Sequence, residues 1–439
     1  MTQNRNEPFW DVIIIGAGIA GLTASIYLAQ AGRTVLLLDK GSHLGGRAAS
    51  TEIASASVNL GAHALYKSAL PILQEAGVIP TGASPKAPVM FVFEGANGGN
   101  KALPLAQLLL GSFLTWHEKT QLFRFYSRLR KTDTSALHKV SLQAYLESQI
   151  SSPRVRNVVL ALVRVSTYCD APDLVSAGAV IEQLNHSQVM YVDGGWKTIV
   201  SQLTEQAQKG GVSIRTSSPV REIAGSYPRM TVTLKDRTQL RTSYVLSTAG
   251  PADTLAILNP SLTPTEAAVY EQLIPVRAAC LDLVVAGMPQ PKTKFVLGAD
   301  YPWYYSNHST AASLSDNPKY AVVHVMKYLP ASIHSDPLQD KSELEGFLDL
   351  IQPGWRKHVV QHRFLPRMLV SHAVVTAAAG GLLGRPGPAV EGRPGLYVAG
   401  DWVGSEGMLL NASLASAKEA ARSIISGKEQ DKEGMHRGA

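Results

Sequence analysis

The chain has 439 residues, 45% hydrophobic and 17% charged, with a formal net charge of +7. That length and apolar fraction are ample for a large buried core in two or three lobes. The basic balance suits an anionic ligand, an acidic membrane face or nucleic acid, but no zinc-ligand spacing and no long basic block point to nucleic acid.

The opening MTQNRNEPFW lacks the apolar core of a signal peptide, and Cys169 and Cys280 are too few for a disulfide framework, so a reducing cytoplasm is expected. The run Asp11 to Gly16, DVIIIG, is short, β-branched and closed by glycine, which predicts a buried parallel strand. GAGIAG then sets Gly16, Gly18 and Gly21 in the G-x-G-x-x-G spacing, with Ile19 and Ala20 between the last two, and LTASIYLAQAG reads as a helix that stops at Gly32. TVLLLD is a second buried strand, ending in Asp39 and followed by Lys40. Gly16 permits the tight turn, Gly18 lets backbone approach a pyrophosphate, and Gly21 lets helix and strand pack closely. The helix N-terminus offers free N–H groups to the phosphates, and Asp39 can accept from ribose hydroxyls. The uncharged run Val12 to Gly32 is divided by these glycines into a strand and a helix, so no membrane-spanning helix is expected.

KGSHLGGRAAS follows, with Gly45, Gly46 and Arg47 soon after the acid. GAGIAGLTASIYLAQAGRTVLLLDKGSHLGGR as a whole resembles the superfamily of FAD-dependent amine oxidases, protoporphyrinogen oxidases and phytoene desaturases. The resemblance implies that the two glycines run along the cofactor and that Arg47 contacts its phosphates or flavin side. Four more segments match. VNLGAHALY resembles the stretch over the flavin, with Gly61, Ala62 and His63. VSIRTSSPVREI resembles the turn whose valine backbone meets adenine, here Val220. YVLSTAGP resembles the re-entry strand, with Ala249 and Gly250 near FAD. GLYVAGDWVGSEGMLLNASLASAKEAA resembles the C-terminal strand, turn and helix: Gly400 and Asp401 lie at the ribityl or pyrophosphate region, and the backbone near Met408 faces the pyrimidine end of the flavin. Here Ala412 and Ala417 stand where the family helix usually has glycine. The two ends of the chain would thus hold one FAD, non-covalently, since neither cysteine lies in the C-terminal motif.

The expected class is α/β, with a discontinuous Rossmann-like FAD-binding domain (residues 1–95, 190–265 and 385–430), a mixed α+β substrate domain (96–189 and 266–384) and a polar tail (431–439). Residues 103–185 show helical spacing, and residues 275–330 read as strands. A second G-x-G-x-x-G is missing, so no nicotinamide site is expected. The function implied is an FAD-dependent oxidoreductase that removes hydride from a C–H bond of a hydrophobic small molecule, closest to the phytoene-dehydrogenase-related branch. Electrons would pass to oxygen, a quinone or another acceptor. A flavin amine oxidase making imine and hydrogen peroxide, and a redox-neutral flavin isomerase, remain alternatives. His63 and Tyr305 are the candidate catalytic residues, and no metal site is predicted. Tyr168, Tyr191, Trp196, Trp303, Tyr304, His308 and Trp402 are further candidates for the wall, and His324 reads as core. LLLGSFLTW beside RFYSRLRK fits either a peripheral membrane patch or an ordinary helix with a solvated basic face.

Overall fold

The computed structural model describes residues 8–95, 99–258, 262–331 and 335–427. The polar tail falls outside these residues. The first strand, Phe9–Ile15, is buried on both faces: Val12 and Ile14 join one apolar cluster and Ile13 and Ile15 another. A strand buried on both faces belongs in the middle of a sheet covered on both sides. It pairs in parallel with Val35–Leu38 and with Gln239–Ser247. Ser213–Arg215 extends the sheet beyond Val35–Leu38, and Leu396–Val398 joins the end of Gln239–Ser247, both in parallel. Two antiparallel strands, Arg229–Leu234 and Val220–Ser226, complete it.

The register sets the site. Arg215, Leu38, Ile15, Ser247 and Val398 pair in one row across the five parallel strands. The residues that follow them leave the sheet at one edge: Thr216, Asp39, Gly16, Thr248 and Ala399. In open parallel sheets, ligands bind at this carboxyl edge. Helices Ile19–Gln30, Lys197–Lys209 and Leu409–Ser426 cover one face. Ala20, Ala24, Ala417, Ala420 and Ala421 are buried in that cluster, and small side chains there let the helices approach closely. Ala412 and Ala417 are both fully buried, so alanine is accommodated where the family pattern has glycine.

A second sheet runs in the order Val359–Ser371, Val276–Ala286, Tyr320–Leu329, Trp303–Asn307, Phe295–Gly298, Met90–Glu94, Asn100–Pro104. Met90–Glu94 therefore belongs to this sheet, although the sequence expectation ran the cofactor domain to residue 95. Strand alternation gives the sheet two distinct faces. Leu281, Leu283, Val325, Trp303 and Tyr305 pack on Leu344, Phe347 and Leu348 of the helix Pro337–Ile351. Their neighbours Cys280, Tyr304, Met326 and Tyr328 face the other way, into a cluster that holds Ala62. Helices from residues 105–185 pack on that same cluster, several of them started by serine or threonine caps such as Ser141, Ser152 and Ser176. Among the described residues, no helix is long and apolar enough to cross a membrane.

Gly21 shows how tightly the first turn is built. A Cβ there would sit 1.9 Å from the Gly16 carbonyl oxygen. Gly21→Ala should cost about 1–3 kcal/mol, the usual range for overpacking. Denaturant unfolding of the variant checks this, and an unchanged midpoint would contradict it.

Candidate functional site

Gly16 has φ +102°, and Thr248 Oγ1 donates to its carbonyl at 2.7 Å, tying the first turn to the re-entry strand. Gly45 donates to the Ala17 carbonyl at 2.8 Å and bridges to Gly18, so the G-G-R segment lies directly against the turn. A Cβ on Gly18 would find nothing nearer than 3.9 Å, so this side of the turn is open. The helix that starts at Ile19 and Ala20 has no side-chain cap, leaving its first N–H groups free for an anion. Asp39 accepts from the N–H of Ala17 and of Gly41, each at 2.7 Å. Two of its roughly four lone-pair positions remain for ribose hydroxyls. Ser218 N–H donates to the Asp39 carbonyl at 2.8 Å, which brings Val220 to the same end. Lys40 is turned to the surface, where Nζ pairs with Asp253 at 2.8 Å; both side chains are largely exposed, so the pair contributes little. The open glycine turn, the uncapped helix start and the half-used carboxylate fit the adenosine and pyrophosphate part of a dinucleotide.

At the other end of the chain, Asp401 is buried and its carboxylate is fully engaged. Arg47 grips both oxygens, Nη1 to Oδ2 and Nη2 to Oδ1, each at 2.8 Å. His372 donates from Nδ1 to Oδ1 at 2.8 Å and from its backbone N–H to Oδ2 at 3.1 Å. Burial alone would raise the Asp401 pKa. The Arg47 charge and the bonds from His372 and Arg47 outweigh it and hold the carboxyl well below its usual range. The resemblance sets Asp401 at the ribityl or pyrophosphate region; in the structure four donors occupy the four acceptor positions of its carboxylate, which fixes Arg47 and His372. Arg47 also donates to the Val370 carbonyl at 2.7 Å, so it connects the first turn, the C-terminal motif and the second sheet. His372 Nε2 lies against Gly250, where a Cβ would be only 2.4 Å away. Gly400 is clasped by Ser416, whose Oγ accepts from its N–H at 2.9 Å and donates to its carbonyl at 3.0 Å. Met408 stands at the N-cap position of the final helix without a side-chain cap bond, and is buried against Ala179, Val375 and Leu382. A cleft beside Asp401 is lined by Thr167, Cys169, Val276, Val374 and Met408.

The Gly61–His63 segment is pinned from several sides. Tyr168 adopts φ +59° at a helix end, and its hydroxyl donates to the Ala62 carbonyl at 2.7 Å. His63 Nδ1 donates to the Gly61 carbonyl at 3.1 Å, and the ring meets Trp196 edge-on with centroids 4.6 Å apart. Burial lowers the His63 pKa to about 4, so the ring is neutral at physiological pH. Facing Ala62 from the second sheet is a buried polar cluster. His324 Nδ1 donates to Asp282 Oδ1 at 2.6 Å, and Cys280 Sγ donates to the same oxygen at 3.0 Å. Arg363 holds Asp282 Oδ2 through Nε at 3.0 Å and through Nη2, and also reaches the Asn59 carbonyl. Ligand atoms of Cys280, Asp282 and His324 lie within 4.8 Å of one another. Their chemistry does not suit a divalent ion, because Arg363 already neutralises Asp282 and burial, then the Asp282 charge, pushes the Cys280 thiol well up. His308 stacks on Tyr191 with centroids 3.8 Å apart and meets His324 edge-on at 4.5 Å.

The carboxyl edge thus gathers Gly16, Gly18, Ile19, Ala20, Gly21, Asp39, Gly45, Gly46 and Arg47 with Val220, Ala249, Gly250, Gly400 and Asp401. Tyr305 is a correction. It lies on the outer face of its strand, fully buried against the helix Pro337–Ile351, and its hydroxyl accepts from Gln352 Nε2 at 3.1 Å. Trp303 shares that face, stacked on Tyr301 and Phe347. Trp402 is core, on the side of the first sheet with Ile13 and Ile15. Tyr304, one residue from Tyr305, is the one that faces Ala62. Three residues of the site lie outside every sequence motif: His372, Arg363 and Asp282. Asp282 left one signal, as the only acid in an apolar strand, since a buried charge must have a partner.

A Rossmann-like sheet whose open glycine turn and half-used Asp39 lie on one edge, facing a second sheet across a buried wall, has the architecture of a flavin-binding fold. The family model "Flavin containing amine oxidoreductase" matches residues 19–280. The chain belongs to that family. It is 25% identical over 304 residues to AofH of Mycobacterium tuberculosis, named as a proposed flavin-containing monoamine oxidase, covering 62% of this chain and 64% of that one. It is 54% identical over 43 residues to a carotenoid 3,4-desaturase of Haloarcula japonica, 10% of this chain and 9% of that one. A solved oxidoreductase from Methanosarcina mazei shares the fold with a TM-score of 0.76 at 19% identity, over 94% of this chain and 100% of that one.

Because the Asp401 pKa is depressed, its stabilising contribution is complete above the unfolded carboxylate value of about 4 and is lost as pH falls through the folded value. Asp401→Asn should remove about 3 kcal/mol at neutral pH, the low end for breaking a buried pair, since Arg47 is partly exposed. It should also flatten the acid limb of stability. Urea unfolding from neutral pH to below pH 4 tests both, and an unchanged acid limb would contradict the assignment.

Proposed function

We propose that the chain binds one FAD non-covalently and removes hydride from a C–H bond of a hydrophobic small molecule, as a desaturase or dehydrogenase does. Electrons then pass to oxygen, a quinone or another acceptor. In this reading residues 1–95, 190–265 and 385–430 hold the cofactor, apart from Met90–Glu94, and residues 96–189 and 266–384 shape the substrate side. FAD, when bound, supplies the hydride acceptor. Asp39 takes the ribose, the Gly16–Gly21 turn takes the pyrophosphate, and Asp401 sets the orientation of Arg47 and His372. The uncapped start of the helix Leu409–Ser426 brings partial positive charge toward the flavin end. Burial pushes the Cys169 thiol up to about 12 and the Cys280 thiol well up, so both are poor nucleophiles, which favours a non-covalent cofactor.

One observation carries the choice of substrate class. The face opposite Ala62 presents Tyr168, Cys280, Tyr304, Met326 and Tyr328, and its single acid, Asp282, is already neutralised. Such a wall favours an uncharged, apolar ligand. Hydride transfer from that ligand needs proximity and orientation more than an acid or base. The lysine often found near the flavin of amine oxidases has no counterpart on the strand Val276–Ala286, and Lys327 of the next strand turns outward to Asp340 and Glu343. The similarity to AofH favours the second reading, an amine oxidase.

Anaerobic mixing of the purified flavoprotein with two panels separates the readings. Lipophilic hydrocarbon donors, isoprenoids included, should bleach the oxidised flavin, and primary and secondary amines should not. Bleaching by amines, with hydrogen peroxide released on adding oxygen, would overturn the first reading and establish the second.

A further inference from the structure

We propose that the helix Trp116–Leu129, with the end of the helix Leu105–Leu110, is a docking face for an anionic lipid surface. Among the described residues, twelve large apolar side chains are exposed, and five of them fall in this one segment: Leu109, Leu110, Trp116, Phe123 and Tyr126. Leu110 is 87% exposed, Trp116 82% and Phe123 76%. The others, such as Ile79 and Leu338, stand singly in separate elements, which is ordinary for a protein surface. A cluster on one face calls for a partner.

The helix is amphipathic in an unusual sense. Gln121, Leu122, Phe125 and Leu129 are buried and anchor it to the protein. Trp116 and Phe123, seven residues apart, share the crest directly opposite. By helical geometry, Arg124, Arg128 and Lys131 flank that crest on one side, and Lys119 and Arg130 on the other. Lys119 donates to the Gly111 carbonyl at 2.7 Å and lies over the Trp116 ring at 5.4 Å. It therefore fastens the end of the preceding helix, and Leu110 with it, beside the first turn.

Charge selects the occupant. Residues 105–131 carry five basic side chains and one acid. That acid, Glu118, is engaged in the helix cap with Thr115 and in a bond from Ser152. Arg124, Arg128, Arg130 and Lys131 are exposed and have no ion-pair partner among the described residues. A second copy of this chain, with a formal net charge of +7, would bring like charges against these cations. A lipid surface suits them: Trp and Phe enter the interface, Leu enters the acyl boundary, and flanking Arg and Lys reach anionic headgroups. The helix lies on such a surface rather than crossing it, being only about 21 Å long.

The test is co-sedimentation of the full-length protein with vesicles of phosphatidylcholine alone and of phosphatidylcholine mixed with phosphatidylglycerol. Wild type should bind the anionic vesicles, weakly or not at all the neutral ones, and less as salt rises. The triple variant Leu110→Ser, Trp116→Ser, Phe123→Ser should bind anionic vesicles roughly tenfold or more weakly. The variant Arg124→Gln, Arg128→Gln, Arg130→Gln, Lys131→Gln should lose the preference for anionic lipid. All seven positions are exposed, so both variants should unfold at the wild-type midpoint, which checks that they are folded. Wild type that binds neither vesicle, or both equally, overturns the proposal, as does a triple variant that binds like wild type. Self-association that the triple variant abolishes, without vesicle binding, assigns the face to a second copy and also overturns it.

Discussion

The ion pair between Arg47 and the buried Asp401 is the constraint on which the rest of the site depends. It joins residues 354 positions apart in the chain. Arg47 follows the second parallel strand, Asp401 follows the last one, and the sheet register sets both strand ends on one row. A carboxylate this deeply buried is tolerated only when every acceptor position is filled. Arg47 and His372 fill them, and so the anionic group that holds the site together is one that no ligand needs to contact. Arg47 keeps a partly exposed side chain, while the Nε2 of His372 packs against Gly250.

The second sheet repeats the device. Asp282 is saturated by Arg363, His324 and Cys280, and Arg363 reaches across to the Asn59 carbonyl, just ahead of Gly61–His63. Each sheet thus contributes one buried aspartate held by an arginine and a histidine, and each arginine crosses to the neighbouring element. The two clamps position the segments expected around a flavin and leave the wall between them without free charge. The proposed hydride transfer would need no more charge than that at the reacting carbon.

Much of this was legible in the sequence, for definite reasons. Parallel strands buried on both faces read as unbroken apolar runs, and the glycines that must turn sharply or pack closely are fixed in spacing, so the carboxyl edge could be assembled from Gly16, Asp39, Val220, Gly250 and Asp401. The position of Asp401 was legible and its partners were not, because His372 lies in no motif and a bidentate pair across the chain leaves no local pattern. Tyr304 and Tyr305 show a second limit. Adjacent residues on a strand face opposite ways, and without the register nothing in YPWYYSNHS says which tyrosine faces inward. Trp402, a candidate for the wall, has its side chain in the core with Ile13 and Ile15 on one face of the first sheet.

The central claim is that both ends of the chain hold a single FAD. The most direct measurement is the identity and amount of cofactor released when the purified protein is denatured, read by absorbance and mass spectrometry of the supernatant and the precipitate. The account predicts one FAD per chain, all of it in the supernatant. A protein without flavin that takes up none when FAD is supplied, or one whose flavin stays with the precipitated chain, would contradict it.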